Sequence, residues 1–187
     1  MKQKIISITI ALLAAILLTS TVFAGAIKFS NIDFRLGSFI VDGLAYGLGG
    51  TDWLVEVEAS GYASVICTNY GSNDVPGQSY PHVDGNGTGV LENDSPFVKK
   101  GKSPFTVTAV PEEELNPYIS WDAGGCPNPN WTARIDFVYW ETATIFVKDP
   151  ISGEIVKTFN YNCTTTRIPQ DDGYTFDDGT VSCLEVK

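Results

Sequence analysis

The sequence predicts an all-β fold, arranged as a two-sheet antiparallel β-sandwich. Three observations carry this expectation. Apolar and polar residues alternate with period two along much of the chain, most clearly from Trp53 to Ser60. Stretches rich in Gly, Pro, Asn and Asp separate these segments at short intervals. Beyond the N-terminal apolar run no helical period survives. The one candidate, Glu112-Glu113-Glu114-Leu115, is at most a single turn between Pro111 and Pro117.

The chain opens with Lys2 and Lys4, an apolar run from Ile5 to Leu18, and Val22-Phe23-Ala24. A short positive start, an apolar centre and a small residue at the end read as a secretory signal over residues 1–24. The run is short for a bilayer span, so it is set aside from the fold; an uncleaved N-terminal anchor is the alternative. Cleavage after Ala24 leaves 163 residues (187 less 24), enough for one domain with a hydrophobic core. No later apolar run is long enough to insert the mature chain in a membrane.

Strands are expected at 27–36, with an irregularity near Ser30-Asn31, and at 38–46, where Phe39 and Val41 share a face. Gly47-Leu48-Gly49-Gly50 is a turn signal. From Trp53 onward Val55, Val57 and Ala59 face inward and Leu54, Glu56, Glu58 and Ser60 outward. A separate strand follows Gly61, from Tyr62 to Thr68, in an antiparallel meander. Residues 69–86 read as a loop with short extended pieces, and a strand returns at 88–91. Another strand spans 103–110, with Phe105, Val107 and Ala109 on one face. A second irregular stretch runs from Pro111 to Asn130. Three strands close the domain, at 131–140, 142–148 and 154–161, the last two joined by the hairpin Asp149-Pro150-Ile151-Ser152-Gly153. These eight or nine strands point to an immunoglobulin-like sandwich over residues 25–163, with an acidic polar tail over 164–187.

The chain is acidic, with net charge −10, and loss of Lys2 and Lys4 takes it to −12. Phosphate backbones repel such a surface, which excludes nucleic acid as a partner. Acidity keeps an extracellular protein soluble, and acid groups also hold calcium. Cys67, Cys126, Cys163 and Cys183 form an even set in a chain expected to be exported, so they read as two disulfides. Three pairings are open. The favoured one is Cys67–Cys126 with Cys163–Cys183, the second tying the tail back onto the last strand. No CxxC pair supports redox exchange, and no Cys/His spacing suits zinc.

Asp84-Gly85-Asn86-Gly87-Thr88-Gly89 places oxygen ligands at alternate positions before a glycine, as a calcium loop does, with Glu92 at the ninth position. Ser95 stands where such a loop needs its bidentate Glu, and an Asn/Gly-rich turn explains the same residues. Asp171, Asp172, Asp177 and Asp178 form a second acidic cluster, read as a metal site or a solvated tail. Trp53 and Trp140 belong to the core by their alternation. Trp121 and Trp131 flank Cys126 and are the candidates for ring stacking on a sugar, or for packing against a disulfide. A Ser–His–Asp site would have to use His82, the single histidine, and no GxSxG elbow is present. Carboxylate pairs for glycoside hydrolysis meet only in the fold. Asn86, Asn93, Asn130 and Asn162 open N-glycosylation sequons.

Cys67-Thr68-Asn69-Tyr70-Gly71-Ser72-Asn73-Asp74-Val75-Pro76-Gly77-Gln78 and the later Cys126-Pro127-Asn128-Pro129-Asn130-Trp131 together resemble a loose group of small secreted bacterial proteins. These carry a CTNxGxNxxPGQ loop and a CPNxxW segment. The resemblance spans residues 27–159 and implies a fold and an extracellular address, with no activity to carry over. Cys67 and Cys126 sit in its two motifs, which supports pairing them; Cys163, Cys183 and the tail look like additions.

The sequence therefore reads as a secreted or cell-surface, non-catalytic binding or structural module. Its partner would be an extracellular glycan, a surface protein or a second copy of itself. A secreted glycoside hydrolase or other carboxylate-dependent hydrolase is the first alternative, and a calcium-stabilised adhesion domain the second.

Overall fold

The structure is a computed structural model that describes residues 27–35, 39–49, 51–92, 102–111, 116–168 and 179–187. The expected export signal, the turn at 112–115, the sequon at Asn93 and the acidic residues Asp171, Asp172, Asp177 and Asp178 lie outside them. Among the described residues there is no helix, and hence none long and apolar enough to cross a membrane.

Among the described residues ten strands form one sheet: β1 (Lys28–Arg35), β2 (Phe39–Tyr46), β3 (Trp53–Thr68), β4 (Asp74–Pro76), β5 (His82–Leu91), β6 (Lys102–Pro111), β7 (Tyr118–Ile119), β8 (Thr132–Lys148), β9 (Ile155–Arg167) and β10 (Gly179–Glu185). Their order is β1-β2-β6-β5-β3-β8-β9-β10, with β4 on β3 and β7 on β8. Every pairing is antiparallel. The sheet curls until β1 approaches β10, so it is nearly closed. Where it turns sharply, β5 and β6 share only the pairs Gly85–Pro111 and Asn86–Val110.

The inward faces match the sequence pattern. Val55, Val57 and Ala59 on β3, Phe39 and Val41 on β2, and Phe105, Val107 and Ala109 on β6 are all buried in one core. Aromatic rings join the two sides of the curl: Phe39 meets Trp140 at 5.3 Å, Phe34 meets Tyr161 at 5.1 Å and Phe29 meets Phe159 at 4.5 Å. Trp53 and Trp140 are both core residues, and the Trp53 indole N–H donates to the Leu48 carbonyl at 2.9 Å. The irregularity expected in β1 is a register shift between Ser30 and Asp33, with Asn31 at φ 52°. The expected 149–153 hairpin is also present. Asp149 accepts backbone N–H bonds from Ser152 and Ile151, which hold its carboxyl below the usual range.

Several boundaries differ from the sequence reading. The strand from Trp53 does not end at Gly61 but continues to Thr68, and β2 and β3 are not neighbours, so the early strands do not form a simple meander. Trp131–Trp140 and Thr142–Lys148 are one strand, β8, broken by a bulge that leaves Glu141 without a partner in β3. A second bulge sets off Asp136 in the same way. Gly61 sits against the first bulge: a Cβ there would collide with the Tyr139 carbonyl and approach Trp140 Cα to 2.8 Å. A β-bulge adds one residue and bends its strand, and only a residue without a side chain fits under this one. The tail boundary also moves. β9 runs on to Arg167, and residues 179–185 are not a polar tail but the strand β10.

Both disulfides have the favoured pairing, Cys67–Cys126 and Cys163–Cys183. The second joins directly opposed residues of β9 and β10. The first anchors a small separate core of Val65, Cys67, Cys126 and Ala133, with Ile119 and Trp131 packed on it. The motif residues build this end of the molecule. Asn69 Oδ1 accepts from the Gly71 and Asn73 N–H groups at 2.8 and 3.0 Å. The Gly77 N–H donates to Val65 at 2.8 Å, and the Gln78 N–H reaches the Gly125 carbonyl at 3.3 Å. The two motifs thus close on each other around one disulfide.

Candidate functional site

The run from Asp84 to Gly89 lies in β5, and strand geometry separates its two residue types. Gly85, Gly87 and Gly89 face inward, where β6 passes so close that a Cβ on Gly87 would strike the Thr108 carbonyl. Asp84, Asn86 and Thr88 face outward and are exposed. Alternate residues of a strand stand about 6.6–6.8 Å apart, so three in a row cannot converge on one calcium ion. Glu92 lies just beyond the strand end, exposed. The calcium-loop reading of Asp84, Asn86, Thr88 and Glu92 is therefore corrected: the glycines serve a close backbone crossing, and the polar residues line a sheet face. Among the described residues no three His, Cys, Asp or Glu side chains are grouped to hold a metal.

That outward face of β5, β3 and β8 carries the most concentrated chemistry. Successive cross-strand rows are His82, Tyr62 and Tyr139; Asp84, Ser60 and Thr142; and Asn86, Glu58 and Thr144. In the first row Tyr62 and Tyr139 stack, centroids 5.1 Å apart and planes 14° from parallel. Tyr80, 67% exposed, meets Tyr62 edge-on at 5.9 Å. Phe137 meets the other side of the group, edge-on to Tyr139 at 4.9 Å, and the Arg167 guanidinium lies 5.3 Å from the Phe137 ring centroid. Tyr62, Tyr80 and Tyr139 line an open depression of about 610 Å³. None of the three belongs to either core, so core packing does not account for them.

Beside this platform a second depression of about 490 Å³ is lined by Glu58, Ser60, Asp84, Asn86, Thr142 and Thr144. Ser60 Oγ and His82 Nε2 share a hydrogen bond of 2.9 Å, and His82 Nδ1 stands 3.4 Å from Asp84 Oδ2. The order is that of a Ser–His–Asp relay. Acyl transfer also needs donors for a developing oxyanion, whereas β3 is paired on both sides here and its backbone N–H groups are committed to the ladders. Glu58 and Asp84 are diagonal neighbours across β3 and β5, a relationship that spaces residues by about 7–8 Å.

The structure places the sequence candidates elsewhere. Trp131 packs on the Cys67–Cys126 core, as the disulfide-packing alternative expected. Trp121 is 37% exposed, and its carbonyl accepts the Cys126 N–H at 2.8 Å. Neither lines the tyrosine depression. Asn86, Asn130 and Asn162 of the sequons are exposed. The sequence reading missed Tyr62, Tyr80 and Tyr139. It follows the alternation only to Ser60, Tyr80 sits in a loop, and Tyr139 meets Tyr62 only through the β3–β8 register.

The chain matches no protein-family model, no curated protein and no solved structure.

Proposed function

We propose that this chain is an exported, non-catalytic binding module that recognises a glycan through the outward face of β5, β3 and β8. The observation that carries the reading is the tyrosine group on a face turned away from the core, with Tyr62 and Tyr139 held by strand register and Tyr80 reaching them from the adjoining loop. Flat amphipathic rings stack on the apolar faces of sugar rings and keep a polar edge in water. The adjoining Ser60, Asn86, Thr142 and Thr144 supply hydroxyl and amide groups that suit sugar hydroxyls. Two disulfides are compatible with the oxidising compartment that export implies. We also read the curled sheet as a two-layer, immunoglobulin-like arrangement, supported by the ring contacts between β1–β2 and β8–β9.

Glycoside hydrolysis is the second reading, favoured by one observation. Glu58 and Asp84 flank the same depression next to the platform as diagonal neighbours of β3 and β5, and a pair of carboxylates facing one cleft is what glycosidases use.

One experiment separates the two. The oxidised protein is incubated with a panel of insoluble polysaccharides and cell walls, and protein depletion and released sugar are measured together. Depletion without release is the expected result. Released sugar that disappears in Glu58→Gln would replace the binding reading with the hydrolase. No depletion by any polymer would sink the glycan reading and leave a protein partner or self-association through the outer strands β1 and β10.

A further inference from the structure

We infer that the ligand is a neutral, linear polysaccharide lying lengthwise along β3, across three successive depressions; this deepens the glycan reading and rests on it. The outward residues of β3 line one depression after another. Glu58 and Ser60 line the polar depression of about 490 Å³. Tyr62 lines the aromatic one of about 610 Å³. Ser64 and Ile66 line a third of about 300 Å³, walled by Val75 and Pro76 of β4 and by the paired Asp136 and Arg167. A strand rises about 3.3–3.4 Å per residue, so Glu58 to Ile66 spans roughly 27 Å. A single sugar covers only a fraction of that length, and an extended chain of several covers it all.

The order of chemistries along the track also suits a polymer. The rings lie in the middle, where stacking fixes one sugar; hydrogen-bonding groups lie on one side, and on the other Ser64 and Asp74 stand among the apolar Ile66, Val75 and Pro76 to engage its neighbours. The bulge at Glu141 brings Tyr139 level with Tyr62 and returns Thr142 to the row beside Ser60, so aromatic and polar rows are consecutive on one face.

Charge selects among polymers. Glu58 and Asp84 border the first depression and Asp74 the third. Two cations near the face are engaged, Lys148 with Glu56 and Arg167 with Asp136, while Arg134 stands opposite Ile66 at the far end of the track. A polymer of uronic acids or sulfated sugars would meet the like charges of Glu58, Asp84 and Asp74 along the track, whereas a neutral chain meets hydrogen-bonding groups, rings and the apolar Ile66, Val75 and Pro76.

The test is calorimetric titration of the full oxidised chain with neutral β-linked gluco-, xylo- and manno-oligosaccharides of two to six sugars, with a polyuronate series as comparison. With at least one neutral series, affinity is expected to rise with each added sugar, by about a hundredfold in all. Tyr62→Ala should lower affinity about tenfold or more at every length, while Tyr62→Phe keeps it. Asn86→Ala should weaken the longer oligosaccharides and spare the disaccharide. Equal affinity for the shortest and longest sugars would overturn the track while leaving a glycan site. Tighter binding of the polyuronates would overturn the neutral assignment. No binding by any sugar, with circular dichroism showing a folded chain, would overturn both this inference and the reading beneath it.

Discussion

Tyr62 and Tyr139 occupy directly paired positions of β3 and β8 and stack with planes 14° apart, on the face opposite the core. An aromatic pair of this kind stabilises a fold by about 0.5–1.5 kcal/mol beyond its burial. Replacing Tyr62 with Ala loses this term and the burial of a half-buried ring, and is expected to cost at least about 1 kcal/mol in urea unfolding while weakening retention on polysaccharide. A loss of several kcal/mol with retention unchanged would make the pair structural and not functional.

The bulge that aligns these rings depends on Gly61. Its missing Cβ leaves room for the Tyr139 carbonyl and for Trp140 Cα. Gly61→Ala is expected to destabilise the chain by about 3 kcal/mol or more, because backbone must move. A thermal midpoint within a degree or two of the wild type would show that the strands can part at no cost.

Arg167 and Asp136 form an ion pair at 2.6 Å, with side chains 16% and 8% exposed. Removing one partner leaves a buried charge, so Arg167→Met alone should cost about 3–5 kcal/mol. Arg167→Met combined with Asp136→Leu should recover most of that loss. Denaturant titration of both variants decides it, and equal losses in the two would argue against a buried-charge penalty.

The disulfides differ in the loop they close. Cys67 and Cys126 are 59 residues apart, Cys163 and Cys183 only 20. In the loop-entropy account the first contributes about 4 kcal/mol and the second about 3 kcal/mol. Paired Cys→Ser variants, compared by urea unfolding, should rank in that order. Intact mass without reductant should fall four hydrogens below the reduced chain, and a smaller deficit would mean a bridge is not formed.

Burial pushes the Tyr161 hydroxyl up to about 12, with a further push from Glu185 directly across the β9–β10 ladder. An unfolded tyrosine ionises near 10. The folded state holds the proton more tightly, so its contribution is fully present below about pH 10 and is lost as pH rises through about 12, a change of about 2–3 kcal/mol. Urea midpoints on either side of that window should fall steeply for the wild type and less for Tyr161→Phe. Parallel declines would assign the alkaline loss to other groups.

Much of the fold was legible because it is written locally. Alternation marked Val55, Val57, Ala59, Phe105, Val107 and Ala109 as inward, and each is buried. Turn chemistry marked the 149–153 hairpin. Local pattern failed where a strand passes through a signal that usually ends one. Gly61 looked like a boundary and is a bulge contact, and residues 82–86 looked like the end of a loop and belong to a strand crossed closely by β6.

By itself, then, the sequence determined the strand class, the inward faces and the even set of cysteines. Each follows from the period of a pleated chain or from composition. Which outward residues become neighbours was decided only by the tertiary structure. Tyr62 and Tyr139 are 77 positions apart, and Ser60 and His82 are 22 apart. Their meeting depends on register, and register depends on where a bulge inserts one residue. A shift of one residue would turn Tyr139 to the other face of the sheet, so the platform exists only once the whole β3–β8 ladder has closed.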